Sequence, residues 1–141
     1  MNRAAGLFIL IIDDEEEFAR TLASRLELRD MRVRVAVSGE EGLRAVADEK
    51  PDVLLLDMRM PGLSGVEVLK RLRRGDVPGA RALPVIIVSG HASEADARAA
   101  QDLGISGSVP KPVQFDDLLE AVNGAAKDAA GPDDAASGDA A

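Results

Sequence analysis

Polar residues follow directly on four separate runs of apolar residues in this chain. They supply three carboxylates, one hydroxyl and one ammonium: Asp13, Asp14, Asp57, Ser89 and Lys111. Buried parallel strands read as continuous apolar runs, and open α/β sheets bind ligands at the carboxyl ends of their strands. We therefore expect these side chains to meet at one edge of a sheet. Such a set of groups is suited to a divalent cation and a phosphoryl group.

The three carboxylates indicate the kind of cation. Like charges brought together repel one another unless a cation or a buried proton intervenes. Ligands that offer only oxygen favour Mg2+ or Mn2+ over zinc, and the chain has no Cys. Each residue alone has an ordinary explanation: an aspartate after a strand commonly caps a helix, Ser89 could belong to a turn, and Lys111 could be a surface charge. The prediction of a site depends on their convergence.

Apolar runs alternate with helix-like stretches five times along the chain. Helices are expected over 16–28 and 115–126, and after three serines that could cap them, Ser38, Ser64 and Ser93. The second apolar run, 31–37, alternates with polar residues, which predicts a half-exposed strand near a sheet edge. Five βα units imply a doubly wound α/β fold, with a parallel five-stranded sheet, right-handed crossovers and helices on both faces.

Composition and length bound the domain organisation and the classes of partner. One domain is expected over 1–126, with a disordered tail or linker over 127–141, which has no large apolar residue. A net charge of −8 argues against direct binding of nucleic acid. The apolar run at 7–12 is too short to span a membrane or serve as a signal peptide. With no Cys, a cytoplasmic protein is expected. Arg71, Arg73 and Arg74 are interpreted as a solvated helix face.

These residues, in this order, resemble the receiver domain of two-component response regulators. The resemblance covers Leu7 to about Ala126 and implies the flavodoxin-like receiver fold. Spacings of 43 residues from Asp14 to Asp57, 32 from there to Ser89 and 22 onward to Lys111 also fit. The matching pieces are Ile-Ile-Asp13-Asp14-Glu15, Leu-Leu-Leu-Asp57-Met-Arg-Met-Pro61-Gly-Leu-Ser-Gly65, Val-Ser89-Gly-His and Val-Pro-Lys111-Pro112.

The resemblance implies a role for each acidic residue. Asp57 would be the phosphoacceptor, whose carboxylate attacks the phosphorus of a phosphohistidine on a histidine kinase or phosphotransfer protein. Asp14 and Asp57 would bind Mg2+ directly, and Asp13 would bind it through water. The main-chain carbonyl of Arg59 would be a further ligand.

The remaining site residues receive roles from the same resemblance. The Lys111 ammonium and the Ser89 hydroxyl would contact the phosphoryl group. Arg59 and His91 would flank the attacking water and tune the lifetime of the phosphate, although plain solvent exposure of His91 is an equal alternative. The peptide bond between Lys111 and Pro112 would be cis, as is typical of the family.

One position departs from the family pattern. Receivers usually carry Tyr or Phe three residues before the lysine of the fifth strand, as a switch residue, and here that residue is Ser108. Coupling by a swinging aromatic ring is therefore not possible. We expect signalling through the segment Gly90–Gly104, since its alanine-rich helix has few large side chains to anchor it.

Three hypotheses follow. The first is a phosphorylation-dependent receiver, alone or as a module of a longer regulator, which catalyses only its own phosphorylation and dephosphorylation and acts on a downstream protein. The second is a docking module that works without phosphorylation; Ser108 favours it and the clustered acids disfavour it. The third is an aspartate-nucleophile phosphatase of the haloacid-dehalogenase type, disfavoured because Arg59 stands where the acid/base aspartate would be, on the wrong strand.

Overall fold

The computed structural model describes residues 6–90 and 92–130. In these ranges, one parallel sheet has the strand order β2-β1-β3-β4-β5, which confirms the predicted α/β fold. The strands are β1 (Phe8–Ile12), β2 (Arg32–Ala36), β3 (Val53–Leu56), β4 (Val85–Ser89) and β5 (Gly107–Pro110). The helices are α1 (Glu16–Glu27), α2 (Gly39–Asp48), α3 (Gly65–Arg73), α4 (Glu94–Leu103) and α5 (Phe115–Ala130).

The sheet separates two hydrophobic clusters, one on each face. Successive side chains of a strand point to opposite faces, so β1, β3 and β4 supply both clusters and read as continuous apolar runs. On one face they pack against α2, α3 and α4, including Val46, Leu69 and Ala100. On the other face they pack against α1 and α5, including Leu26 and Val122. Burial of both faces explains why all residues of β1 and β3 are buried.

Strand β2 is the edge strand that the alternating pattern predicts. Val33 and Val35 are half-buried, whereas Arg32 and Arg34 are exposed. The two guanidinium groups form ion pairs with acidic residues at the end of α2, and Arg34 lies 3.0 Å from its partner. Charged side chains on an edge strand discourage pairing with another sheet.

Three helices begin at the predicted serine caps. In each case the hydroxyl accepts a hydrogen bond from the backbone N–H three residues later, at 3.0 to 3.2 Å, and the three are Ser38, Ser64 and Ser93. Such a bond pairs an N–H that has no partner inside the helix. Helix α4 ends at Gly104, whose φ of 96° favours glycine. Helices α3 and α4 follow the strand ends that carry Asp57 and Ser89, whereas α2 follows the edge strand β2.

The structure differs from the sequence interpretation in several places. Helix α5 runs to Ala130 rather than ending near Ala126; residues 131–141 lie outside the described ranges, where disorder stays a prediction. The helix that Ser64 caps is predicted to bury Val66, Leu69 and Leu72, but Val68 rather than Val66 is fully buried, because α3 begins at Gly65 and turns Val68 to the core. Leu28 is 83% exposed, since it follows the last turn of α1.

None of the helices within the described ranges has the length and apolar character that crossing a membrane requires.

The expected solvated face of α3 is wrong for two of the three arginines: Arg71 is half-buried, with its Nε atom buried, and Arg73 is held by another helix. Arg73 is half-buried, and its guanidinium donates hydrogen bonds to the carbonyl oxygens of Leu103, Gly104 and Arg81 at 2.8 to 3.2 Å. Arg74, in contrast, is exposed and binds the nearby Asp76. The cluster therefore includes a residue that ties α3 to the end of α4.

Candidate functional site

Three carboxylates meet at the carboxyl edge of the sheet. Asp13 and Asp14 follow β1, and Asp57 follows β3, which pairs with β1 in register. Each side chain offers a carboxylate oxygen within 4.8 Å of the other two. Asp13 and Asp57 are buried, at 1% and 5% exposure, whereas Asp14 is exposed. The predicted acidic cluster is therefore brought together, with one member open to solvent.

Backbone hydrogen bonds fix two of these carboxylates in place. The N–H of Asp13 donates to Ala36 at 3.0 Å, and the N–H of Asp57 donates to Ile12 at 3.0 Å. The Asp13 carboxylate also accepts the N–H of Glu15 at 2.9 Å, which shapes the turn into α1. Both residues thus continue the sheet ladder one step beyond the strands, and their side chains have little freedom.

A glycine at the start of α3 allows close packing behind Asp57. The N–H of Gly65 donates to the Met58 carbonyl at 3.1 Å. A Cβ atom at Gly65 would lie 2.2 Å from the main-chain oxygen of Asp57, which is far inside contact distance. Glycine at this position therefore lets α3 begin directly against the backbone of Asp57.

Lys111 reaches the cluster from the end of β5. Its ammonium nitrogen lies 2.9 Å from Asp13, 2.6 Å from Glu15 and 3.9 Å from Asp57. The same ammonium lies 4.5 Å from the centre of the Phe18 ring, in a cation–π contact. The peptide bond between Lys111 and Pro112 is cis, as the resemblance implies. Glu15 and Phe18 were given no role from the sequence, although Glu15 belongs both to the run of acids at 13–17 and to the piece that matches the receiver family.

Burial and like charge raise the pKa of the two buried aspartates. The pKa of Asp57 rises from 3.8 to about 6, chiefly because the carboxyl is desolvated and secondly because Asp13 is close, while Lys111 opposes the rise. Desolvation likewise raises the pKa of Asp13. Burial alone would lower the pKa of Lys111, but its bonds to Glu15 and Asp13 raise the pKa instead. The ammonium thus compensates only part of the negative charge.

Ser89 is the last residue of β4 and borders two cavities. One is the open cleft that Asp14, Asp57 and Lys111 line, and the other lies beneath α4. Its hydroxyl oxygen is buried and has no hydrogen-bond partner within the described residues. The predicted hydroxyl therefore does lie at the acidic cleft, and it also faces a second space that the sequence did not indicate.

The other predicted residues are placed differently. Arg59 is exposed, lines the acidic cleft, and its backbone N–H bonds to the Asp57 carboxylate. Ser108 is exposed in β5 and lines the cavity beneath α4, not the cleft. His91 lies outside the described residues, so its role stays a prediction.

The cleft fits a hard divalent cation. Three carboxylates offer oxygen ligands within 4.8 Å of one another, the donor type that Mg2+ prefers. Burial is the main cause of the raised pKa of Asp57, and the nearby Asp13 carboxylate is the second; a bound cation would offset the repulsion between these two carboxylates. Asp14 is exposed and gives access to the cluster. Such an ion would bind next to Asp13, in the part of the cleft that Asp14, Asp57 and Arg59 line.

Comparisons with known proteins agree with this geometry. The family model for the response regulator receiver domain matches residues 9–123. The chain is 39% identical over 117 residues to the uncharacterized transcriptional regulatory protein YkoG of Bacillus subtilis, covering 83% of this chain and 50% of that protein. It is 36% identical over 119 residues to the transcriptional regulatory protein KdpE of Mycobacterium tuberculosis, covering 84% and 50%.

Solved structures agree as well. A response regulator receiver domain protein from Clostridium thermocellum is 34% identical, with a TM-score of 0.78, over 87% of this chain and 96% of that one. The receiver domain of the Francisella response regulator 1452 is 28% identical, with a TM-score of 0.78, over 88% and 99%. The chain thus matches receiver domains over nearly their whole length, and it spans about half the length of the curated relatives named above.

Proposed function

The chain belongs to the receiver-domain family of two-component response regulators, and from this membership we propose that Asp57 accepts a phosphoryl group in a Mg2+-dependent reaction. The observation that carries the proposal is the position of Asp57. Its carboxylate lies buried at the end of the central strand β3, in the acidic cluster and 3.9 Å from the Lys111 ammonium. Asp13 and Asp14 complete the cluster.

Asp57 acts as the nucleophile in this proposal. A carboxylate oxygen forms a bond to phosphorus while the bond from phosphorus to the donor breaks, and the leaving imidazole of a phosphohistidine takes up a proton. A pKa of about 6 leaves Asp57 mostly ionised at neutral pH, so the nucleophile is available. Phosphoryl transfer depends on positioning and charge neutralisation. Bound Mg2+ would neutralise charge on the phosphoryl oxygens and on Asp57.

Lys111 and Ser89 act on the transferred group. Lys111 moves from Glu15 toward the phosphoryl oxygens, a short movement because its ammonium already lies 3.9 Å from Asp57. The Ser89 hydroxyl, which has no partner within the described chain, donates to a phosphoryl oxygen. Arg59 at the rim of the cleft, together with His91, tunes access of water to the product. Lys111 and Ser89 thus stabilise the negative charge that the phosphoryl group brings into the cleft, whereas Arg59 and His91 act on its hydrolysis.

The partners follow from this chemistry. The phosphodonor is a histidine kinase or a phosphotransfer protein, and a downstream protein recognises the conformational change. The curated relatives are named as transcriptional regulatory proteins, whereas this acidic chain, with a net charge of −8, is not expected to bind nucleic acid itself. We place the domain in the cytoplasm, where it would catalyse only its own phosphorylation and dephosphorylation.

The proposal is tested by the intact mass of the protein after incubation with acetyl phosphate and Mg2+. The parent should gain the mass of one phosphoryl group. Asp57→Asn should gain none, while the control Asp48→Asn, which changes an exposed carboxylate on α2, should be labelled like the parent. Full labelling of Asp57→Asn would contradict the assignment.

Two rival functions are separated from the proposal on different grounds, one by the labelling experiment and one by the residue at position 59. A docking module that works without phosphorylation predicts no mass gain in the parent protein. A phosphatase of the haloacid-dehalogenase type needs an acid/base group two residues beyond the nucleophile, where this chain has Arg59. Because a guanidinium stays protonated in proteins, Arg59 cannot exchange the proton that this reaction requires.

A further inference from the structure

A cavity of about 140 Å³ lies between α4 and the ends of β4 and β5. Its apolar wall includes Met58, Ile87 and Ala100. Helix α4 contributes Ala97, Ala100 and Gln101 to the lining, so no large apolar side chain from the helix fills the space. The cavity is separate from the acidic cleft, and Ser89 borders both.

Three polar side chains also line the cavity, namely Ser89, Gln101 and Ser108. The Ser89 hydroxyl oxygen is buried and makes no hydrogen bond within the described residues. Buried polar groups in native proteins are nearly always paired, and an exception calls for an explanation. Because Gln101 and Ser108 are exposed, the cavity has access to solvent. These features indicate a space that can admit a ligand with one hydrogen-bonding group.

The size of the cavity and the residues that line it indicate the class of ligand. An apolar cavity of roughly 150 Å³ in an engineered protein holds benzene, so 140 Å³ suits a single aromatic ring. The Met58 thioether makes favourable contacts with aromatic rings. The chain has no Tyr and no Trp, and none of its three Phe lines the cavity.

We propose that this cavity binds a small phenol, with the ring between α4 and the sheet and the phenolic hydroxyl bonded to Ser89. A phenol satisfies both observations, since its ring covers the apolar wall and its hydroxyl pairs the buried oxygen. A simple hydrocarbon of the same size fills the space but leaves Ser89 unpaired. Binding should therefore be several-fold tighter for phenol than for toluene.

The proposal is tested by titrating the unphosphorylated protein, without Mg2+, with phenol and with toluene. Backbone amide shifts of α4, β4 and β5 should change saturably with phenol. Ala97→Leu, which enlarges an exposed side chain in the cavity wall, should weaken phenol binding about tenfold or more. Ala95→Leu adds the same side chain to α4 outside the wall and should bind phenol like the parent.

A second variant tests the hydrogen bond. Ser89→Ala should lower the affinity for phenol to about that for toluene, while toluene binding stays unchanged. No saturable shift with phenol, equal binding by Ala97→Leu and the parent, or equal affinities for phenol and toluene in the parent would each overturn the proposal. Because these titrations contain no phosphodonor, their failure leaves the phosphorylation of Asp57 unaffected.

Discussion

Arg73 on α3 holds the carbonyl oxygen of Gly104, at the end of α4, with two guanidinium nitrogens at 2.8 and 3.2 Å. The same side chain also donates to Leu103 at 3.2 Å. The last carbonyls of a helix lack partners inside it, so Arg73 caps α4 from a different element. Elsewhere α4 is weakly packed, and only its Ala100 is buried. The helix is therefore anchored mainly at its carboxyl end.

The first prediction concerns this anchor. Arg73→Lys keeps the charge but loses the fork that binds two carbonyls, so hydrogen exchange of backbone amides in the last turn of α4 should become roughly tenfold faster, for a loss of about 1.4 kcal/mol. Hydrogen–deuterium exchange measures this. Arg74→Lys is the matched control, since Arg74 binds only its neighbour Asp76 among the bonds described. Equal exchange in both variants would mean that Arg73 does not anchor α4.

The second prediction concerns the response to phosphorylation. Weakly anchored segments lie at the low end of local stability, where a modest ligand bias shifts populations. Addition of beryllofluoride with Mg2+ should therefore change backbone amide shifts mainly in Gly90–Gly104. Ser108→Tyr should leave phosphorylation of Asp57 intact, because Ser108 lies outside the acidic cleft. If β5 and α5 respond while Gly90–Gly104 does not, this mechanism is wrong and the docking module gains support.

The third prediction concerns Glu15, which competes with Asp57 for the Lys111 ammonium. Glu15→Gln removes the carboxylate that lies 2.6 Å from the ammonium, so Lys111 can approach the phosphoryl group more easily. An exposed ion pair is worth about 1 kcal/mol at most, and the rate of phosphorylation by acetyl phosphate should thus rise up to about fivefold. Glu16→Gln, which changes an exposed acid paired with Arg20, is the control. A slower rate in Glu15→Gln would show that Glu15 assists the reaction.

The fourth prediction concerns the cation. Mg2+ that binds only the folded state stabilises it by mass action, so millimolar Mg2+ should raise the melting temperature of the parent. Asp14→Asn should lose this effect, and without metal it should be at least as stable as the parent, because one of three clustered charges is removed. Thermal unfolding with and without Mg2+ measures both. A marked loss of stability without metal would assign Asp14 a structural role.

The fifth prediction concerns pH without metal. The pKa of Asp57 is about 6 in the folded state and near 3.8 when unfolded. Between pH 3.8 and about 6 the Asp57 carboxyl is therefore protonated more fully in the folded protein than in the unfolded chain. The contribution of Asp57 to the free energy of unfolding should fall as the pH rises from about 4 to above 6. Asp57→Asn removes this dependence and should be more stable than the parent above pH 6, by at most roughly 3 kcal/mol. Denaturant unfolding at several pH values measures the difference; a constant difference would contradict the raised pKa.

Local signals explain why much of the fold and the acidic cluster could be predicted. The apolar run that stops at Asp57 predicts a buried strand, and it also places Asp57 at the carboxyl edge of the sheet. A serine three residues before an acidic residue, as at Ser38, predicts where a helix begins. Five βα units then predict a parallel sheet with helices on both faces, but they leave the strand order open. These features need only residues that are neighbours in sequence.

The contacts that tune the site could not be predicted in this way. Glu15 and Lys111 are 96 residues apart, and their ion pair depends on how α1 lies against the end of β5. Arg73 looked like one more charge on a helix surface, because its carbonyl partners near Gly104 are on another helix. The cavity beside Ser89 depends on small side chains from several elements at once. Each depends on three-dimensional packing rather than on local pattern.

Two glycines of this chain, Gly124 and Gly65, differ sharply in how well the structure tolerates a side chain at their positions. Gly124 in α5 has open space around the position of a Cβ atom, so alanine fits there and favours the helix. At Gly65 the first carbon of any side chain would strike the carbonyl of Asp57. Any side chain at position 65 forces the backbone of α3 or of Asp57 to shift, so substitutions there should impair folding and phosphorylation together.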